Sequence, residues 1–349
     1  MGSYPIYEDH VSLFLIILSS PQFLFLSTLF IGTVLSISSS SWFGAWVGLE
    51  LNLLSFIPLI SSKNNQYSSE SALKYFLIQA LGSSVIILSA SFFLLSLGSA
   101  SIFLLISLLL KAGAAPFHFW FPRVIEGLNW PQAVILITIQ KIAPMSLLSY
   151  AVPHSPSFLI FSSILLSATV GAIGGLNQTF LRKIIAYSSI NHIAWILSAI
   201  TLSESMWMIY FMIYSLVSSS LAFSFFRHQS FHISHIMNHS SQSQATKIFT
   251  FMSLLSLGGL PPFTGFIAKW FIIQELAFNH IFVILLVLLS RALITLFYYL
   301  RISITSLIMS APKRKWVKHD AFIKSLSTPF LIFSNFFGVL APSIIASIN

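Results

Sequence analysis

Glu50, Lys111, Lys141 and Lys269 stand inside stretches otherwise apolar enough to cross a lipid bilayer, and each has Gly or Pro close by. A charge at the centre of a spanning helix costs about 2.5–3.5 kcal/mol on insertion scales. A chain that keeps four such groups is expected to use them, and a carboxyl and three amines at membrane depth suit proton or ion movement. Glu50, in Trp46-Val47-Gly48-Leu49-Glu50-Leu51-Asn52, is a carboxyl whose protonation responds to burial and to a facing cation. The bland alternative is a glutamate that only hydrogen-bonds between helices.

Each lysine has a local context of its own. Lys111 precedes Ala112-Gly113-Ala114-Ala115-Pro116-Phe117-His118. Pro116 lacks a backbone donor and crowds the carbonyl four residues back, so the helix is expected to open there. Broken helices at membrane depth usually line a polar cavity, which would put Lys111 on that cavity with His118 about a turn beyond. Lys141 lies three residues before Pro144. A desolvated lysine can load and unload a proton near neutral pH, which suits a central relay. Snorkelling is the alternative, but Lys141 lies too deep in its span for that. Lys269 follows Leu257-Gly258-Gly259-Leu260-Pro261-Pro262-Phe263-Thr264-Gly265, the strongest break signal in the chain.

His192 is mid-span and titrates near neutrality when unperturbed, so packing residue and relay stand level for it. His228, His232, His235 and His239 recur on one face of a polar connector. Without acidic or thiolate partners they read as a solvated face rather than a metal site. The absence of Cys excludes thiolate metal sites, iron–sulfur ligation, disulfides and a cysteine nucleophile. Any redox cofactor is therefore expected in other chains.

These residues need a membrane scaffold. The 349 residues are 56% hydrophobic and 7% charged, against a soluble average of about 25% charged. A span takes about 20 mainly apolar residues, and such segments recur along the whole length, leaving no room for a soluble domain. The pattern predicts an all-α polytopic membrane protein with eleven spans: 21–38, 42–60, 72–96, 100–122, 130–150, 157–176, 183–202, 205–227, 246–278, 280–302 and 325–347. The apolar run 246–278 is too long for one straight span and suits two half-helices joined by an unwound turn. Val11 to Leu18 either extends the first helix through a kink at Pro21 or lies at the interface.

The net charge of +9 need not mean nucleic acid, because 13 of the 17 Lys and Arg residues fall in connectors or at helix ends. All 13, Lys247 among them, lie on one side of the membrane under the eleven-span count. The other side holds only Glu204. The positive-inside rule then puts the N-terminus on the cytoplasmic or matrix face and the C-terminus across the membrane. The segment Met1 to His10 lacks transit-peptide character, so insertion without a cleaved presequence is expected. Arg291, eleven residues into its span as Lys141 is into its own, is the fifth stranded charge.

Together, Gly44-Ala45-Trp46-Val47-Gly48-Leu49-Glu50-Leu51-Asn52, Leu110 to Trp120, Gln140-Lys141-Ile142-Ala143-Pro144, Gly174 to Thr179, Ser188-Ser189-Ile190-Asn191-His192 and Leu257 to Pro262 resemble the chain 2 family of mitochondrial NADH:ubiquinone oxidoreductase, respiratory complex I. The motifs run in family order from about residue 40 to 301, and the span count looks like the shortened animal form. The resemblance implies an antiporter-like membrane-arm subunit forming one membrane domain over 1–349. It would hold two inverted five-helix repeats (21–150 and 157–302), each with a discontinuous helix, plus a final helix (325–347).

It implies that Glu50 pairs with Lys111, that Lys141 is the central relay, that Lys269 lies towards the exit, and that Lys111 and Lys269 are pseudo-symmetric counterparts. His118, His192 and Arg291 are further relay candidates. No cofactor or metal is expected on this chain. NADH, FMN, iron–sulfur clusters and ubiquinone belong to other subunits of the complex, and structural phospholipids are expected. Implied partners are chains 4 and 4L, accessory subunits and the lipid bilayer of the mitochondrial inner membrane, with the N-terminus in the matrix and the C-terminus in the intermembrane space. The family pattern differs at Arg291, where a small or hydroxyl residue is usual, and before about residue 20. Two other readings use the same residues: a stand-alone cation/proton antiporter subunit, and a structural scaffold whose ionisable residues only fix helix packing.

Overall fold

The computed structural model describes residues 20–61, 65–95, 99–238 and 244–308. Among them the chain is helical throughout, with one isolated β-bridge, Phe180 to His232. The helices are α1 (Ser20–Ser38), α2 (Trp42–Ile60), α3 (Gln66–Leu94), α4 (Ala100–Ala112), α5 (Trp120–Gly127), α6 (Trp130–Ile137), α7 (Ile139–Ala151), α8 (Ser157–Leu176), α9 (Leu181–Leu202), α10 (Glu204–Arg227), α11 (Ile233–Asn238), α12 (Gln244–Gly258), α13 (Thr264–Phe278) and α14 (Phe282–Ile308). Eight segments among the described residues are long and apolar enough to cross a membrane, α6 and α7 together forming one of them. Ala100–Ala112 and Lys247–Gly258 are apolar but shorter. The expected final helix 325–347 and the segment before residue 20 lie outside the described residues.

Capping side chains set several helix starts. Ser41 accepts from the Gly44 amide, Asn65 from Tyr67 and Ser203 from Met206. Asn129 and Gln132 form a capping box at α6, and Gln132 also donates to the Leu59 carbonyl at 2.5 Å, tying α6 to the end of α2. The Asn65 cap and a Glu70–Lys74 ion pair of 2.6 Å carry α3 further back than the expected residue 72, because polar residues one turn apart sustain helix beyond the apolar run.

The span expected to open near Pro116 is interrupted, and so is one expected to be continuous. The span at 100–122 ends at Ala112, where Gly113 adopts φ +77 and its amide and that of Ala114 return to the carbonyls of Leu110 and Leu109. A left-handed glycine cap, not Pro116, stops the helix, since only glycine takes this conformation without steric cost. The span at 130–150 departs from helix at Thr138 (φ −106, ψ −82), whose hydroxyl donates to Val134 O at 2.7 Å. Pro144 lies inside α7, where it removes the donor for the Gln140 carbonyl and crowds it, and the distortion falls just before that carbonyl.

Helix α9 is the hub, buried along most of its length and in contact with α5, α6, α7, α8, α10, α13 and α14. Glycine lets its neighbour come close: a Cβ on Gly171 of α8 would sit 2.5 Å from the Asn191 amide nitrogen. The same arrangement joins α1 and α2, where a Cβ on Gly32 would meet the Asn52 amide nitrogen at 2.9 Å. Close approach of this kind is how helices associate where lipid removes the hydrophobic drive between them.

Candidate functional site

Each of the two broken helices leaves carbonyl lone pairs that its own amides do not fill, and the site is built on how they are satisfied. At the first break, Trp120 Nε1 donates to Leu110 O at 3.1 Å and Gln79 Nε2 to Lys111 O at 3.4 Å. These neutral donors leave the Lys111 ammonium for other work. Its side chain lies across Gly82 of α3, where an added Cβ would come within 3.0 Å of Lys111 Cγ. At the second break, α12 ends in Gly259 with φ +81, and the cap is Lys269 itself, Nζ donating to Leu257 O at 3.3 Å and Gly258 O at 2.7 Å. A cation suits this place because carbonyls at a helix C-terminus carry partial negative charge.

The two lysines therefore occupy like places but different registers. Superposing the Gly113 and Gly259 caps also matches Pro116 with Pro262 and Phe117 with Phe263. Lys269 then falls opposite Arg123, and Lys111 opposite Leu257, whose carbonyl Lys269 caps. Under that superposition Lys111 and Lys269 do not fall on one another.

Glu50 is half-buried on α2. The expected direct pair is absent: among the described residues the ion pairs are Glu70–Lys74 and Glu126–Lys183 (2.9 Å), and the Oε2 of Glu50 has no hydrogen-bond partner. A cavity is lined by Lys111 together with Asn52, Tyr75, Gln79, Gln140 and Lys141, among others. It holds about one water by volume. Its floor is a bonded network: Tyr75 Oη donates to Gln140 Oε1 at 3.1 Å, and Gln140 Nε2 to Asn52 Oδ1 at 2.8 Å. Sequence reading missed Tyr75, Gln79 and Gln140; a buried Gln beside Lys141 on the same turn was the available signal.

Lys141 is 2% exposed and its Nζ has no hydrogen-bond partner. It rests 4.5 Å from the Phe121 ring centroid and 5.8 Å from that of Tyr214, so aromatic faces stand in for solvent. Beyond Tyr214 lies His192, ring centroids 4.6 Å apart, with its Nδ1 2.8 Å from Tyr210 Oη. The Lys269 Nζ lies 5.8 Å from the Trp195 ring, and Trp195 stacks on Tyr210. A second small cavity is lined by His192, Tyr210, Tyr214, Ser256 and Leu257 among others. The structure thus brings Lys111, Lys141, His192 and Lys269 together in one buried region, with Glu50 half-buried on α2.

The remaining candidates lie apart from it. His118 packs on Phe119 with ring centroids 4.2 Å apart and lines neither cavity. Arg291 is half-buried on α14 with its Nε unpartnered, flanked by the exposed Leu289 and Leu293. Nothing among the described residues joins it to the lysine series.

Arg182 donates to the Leu128 carbonyl and Lys183 pairs with Glu126, fastening α9 to the end of α5. His232 and His235 stand 6.3 Å apart by ring centroid in the connector, and no cluster of three metal-binding side chains occurs among the described residues.

A family profile described as NADH:quinone oxidoreductase/Mrp antiporter, transmembrane, matches residues 39–102 and 97–295. The NADH-ubiquinone oxidoreductase chain 2 of Anopheles gambiae is 47% identical, over 89% of this chain and 93% of that protein. The protein of the same name from Oryctolagus cuniculus is 36% identical, over 91% of this chain and 96% of that one. Among solved structures, a chain of respiratory complex I from Thermus thermophilus with bound aureothin superposes with a TM-score of 0.82 at 23% identity, covering 93% of this chain and 79% of that one. A chain of the Mrp complex from Dietzia gives 0.73 at 15% identity, covering 83% and 61%.

Proposed function

Because the chain belongs to the NADH-ubiquinone oxidoreductase chain 2 family, we propose that it is a membrane-arm subunit of the proton-pumping complex and carries protons through the buried series Glu50, Lys111, Lys141, His192 and Lys269. The observation that carries this reading is the order of those groups: ionisable side chains at membrane depth, spaced by a hydrogen-bonded network, aromatic faces and two cavities. Catalysis here means placing each carrier so that a change of charge on one alters the proton affinity of the next. A charge change near Glu50 alters the field at Lys111. The lysine then passes its proton across the Tyr75–Gln140–Asn52 floor towards Lys141, and His192 stands between Lys141 and Lys269. Electron transfer, with NADH, FMN, iron–sulfur clusters and ubiquinone, belongs on this reading to other subunits.

The finer architecture follows the same reading: eleven spans, two inverted five-helix repeats at 21–150 and 157–302, and a final helix at 325–347. A shift of 139 positions supports it, since it carries Gly32 onto Gly171, Asn52 onto Asn191 and Tyr75 onto Tyr214. The same shift carries Glu50 onto Ser189, so the second half keeps the packing without the carboxylate. Location in the mitochondrial inner membrane with a matrix N-terminus, and contact with chains 4 and 4L and with lipid, complete the proposal.

Lys141→Met in an assembled, liposome-reconstituted complex tests it. We expect protons moved per NADH and coupled turnover to fall together; full pumping from an assembled variant would refute the role. The likeness to an Mrp chain favours one rival, a stand-alone antiporter, which purification apart from an NADH-oxidising assembly would support.

A further inference from the structure

Arg291 interrupts the packing pattern of its own helix. On α14, Ile284, Leu288, Thr295, Tyr298 and Ile302 follow one row at helical spacing with Arg291 in its gap, and each of the five is at most 4% exposed. Arg291 completes that row yet stays half-buried, and its Nε is enclosed without a hydrogen-bond partner. The row beside it, Val283, Val287, Ser290, Ile294 and Phe297, is exposed or half-buried throughout. The charge therefore stands at the edge between a packed seam and a largely apolar row open to the outside of the chain.

Its depth follows from the two ends of the helix. Arg301, ten residues on, donates through Nη2 to the Gln178 carbonyl at 3.4 Å, in the connector between α8 and α9, and so marks one end of the bundle. Phe282, nine residues back, follows the turn between α13 and α14 and marks the other. At 1.5 Å per residue these lie about 15 Å and about 14 Å from Arg291, which puts it near the middle of a hydrocarbon layer about 30 Å thick. A lipid phosphate belongs to the headgroup layer outside the hydrocarbon, so an arginine at mid-depth is badly placed to reach one. The chain supplies no counter-charge either. Of its eight acidic residues, Glu50 alone stands in the middle of an expected span, and it is on α2, whereas α14 packs mainly on α8 and α12. Glu275, near the end of α13, forms no ion pair among the described residues.

We propose that Arg291 is the docking point for a transmembrane helix of a neighbouring subunit that carries an aspartate or glutamate at mid-depth. The inference rests on the reading of this chain as one subunit of a membrane assembly. A guanidinium offers paired N–H donors that match a carboxylate, and such a pair is strongest where water is excluded. A charge at the centre of a span is costly enough that it is met inside protein rather than in lipid tails. The open row supplies the rest of the contact: Val283, Val287, Ile294 and Phe297 give apolar packing, and Ser290 at its middle is small enough for a second helix to come close. One charge beside an otherwise apolar row has one complementary position, so the pair would also fix the register of the docked helix.

The test uses the whole purified complex. Arg291→Lys exchanges the guanidinium for an amine, and a hydrophobic carbodiimide then joins that amine to a carboxylate in contact with it, an amide forming as the carbodiimide takes up the water. The expected result by mass spectrometry is a cross-link, absent from the parent complex, between position 291 and an Asp or Glu in a membrane span of another subunit. Arg291→Met is expected to weaken the hold of that subunit on this chain by about thirtyfold, read as its release at lower detergent concentration, because a desolvated charge loses its partner. An assembled Arg291→Lys complex with no such cross-link, a cross-link to Glu275 instead, or a phospholipid that the parent retains and Arg291→Met loses would each overturn the docking. A parent chain that purifies apart from any multisubunit assembly would instead remove the reading beneath it.

Discussion

The Lys269 ammonium donates to the Gly258 carbonyl at 2.7 Å, closing from α13 a helix end that α12 leaves open. A group proposed to carry protons is thus also a structural cap. Lys269→Met should cost about 1–3 kcal/mol for each carbonyl it leaves unpaired. Lys111→Met, whose neighbouring carbonyls are held by Trp120 and Gln79, should lose pumping with much less loss of stability. Thermal denaturation of the two assembled variants, read beside proton pumping, checks the contrast.

Gly265 meets the same helix end from the other side. A Cβ there would sit 1.8 Å from the Ser256 carbonyl oxygen, a clash with backbone that no rotamer relieves. Gly265→Ala should therefore prevent stable assembly, visible as loss of the chain from the purified complex, whereas Gly258→Ala, with its nearest contact at 3.6 Å, should assemble.

Gln140 ties the first cavity together. Gln140→Leu removes both network bonds and leaves the Asn52 carbonyl oxygen unmet, at a cost of about 1–3 kcal/mol. Proton transfer between Lys111 and Lys141 should slow about tenfold if one hydrogen bond's worth of positioning is lost. Comparing coupled with uncoupler-released turnover would show whether the slow step is proton movement.

Tyr210→Phe tests the histidine. It removes the hydroxyl that fixes His192 Nδ1 while keeping the ring that stacks on Trp195. Pumping should fall and thermal stability should change little; retained pumping would show that the orientation of His192 is unimportant.

Glu126→Gln serves as the opposing case. Its pair with Lys183 is partly exposed, and such pairs contribute about 0–1 kcal/mol. Stability and pumping should both stay close to the parent.

The charged residues and both break signals were legible in the sequence because their cost in lipid is high enough to make them conspicuous. The site between them was less so. Tyr75, Gln79 and Gln140 look like ordinary helix residues until α3 and α7 meet, and the bend at Thr138 carries no glycine or proline of its own. Lys247 was legible as a helix-end residue at the start of the expected span 246–278, but its burial was not, because the packing of α12 against α10 and α14 decides it. The register difference between Lys111 and Lys269 emerged only when their carbonyl partners were known.

The paired approaches of Gly32 to Asn52 and of Gly171 to Asn191 restrict how such a machine can work. Helices in backbone contact have no slack for sliding or tilting past one another, so α1 with α2, and α8 with α9, behave as stiff struts. Whatever moves in a cycle is then confined to what the struts leave free: lysine side chains of a few ångströms' reach, the water between them, and the unwound turns at Gly113, Thr138 and Gly259. Work would pass along the chain as a relocation of charge inside an almost stationary frame, much as current passes through a fixed wire.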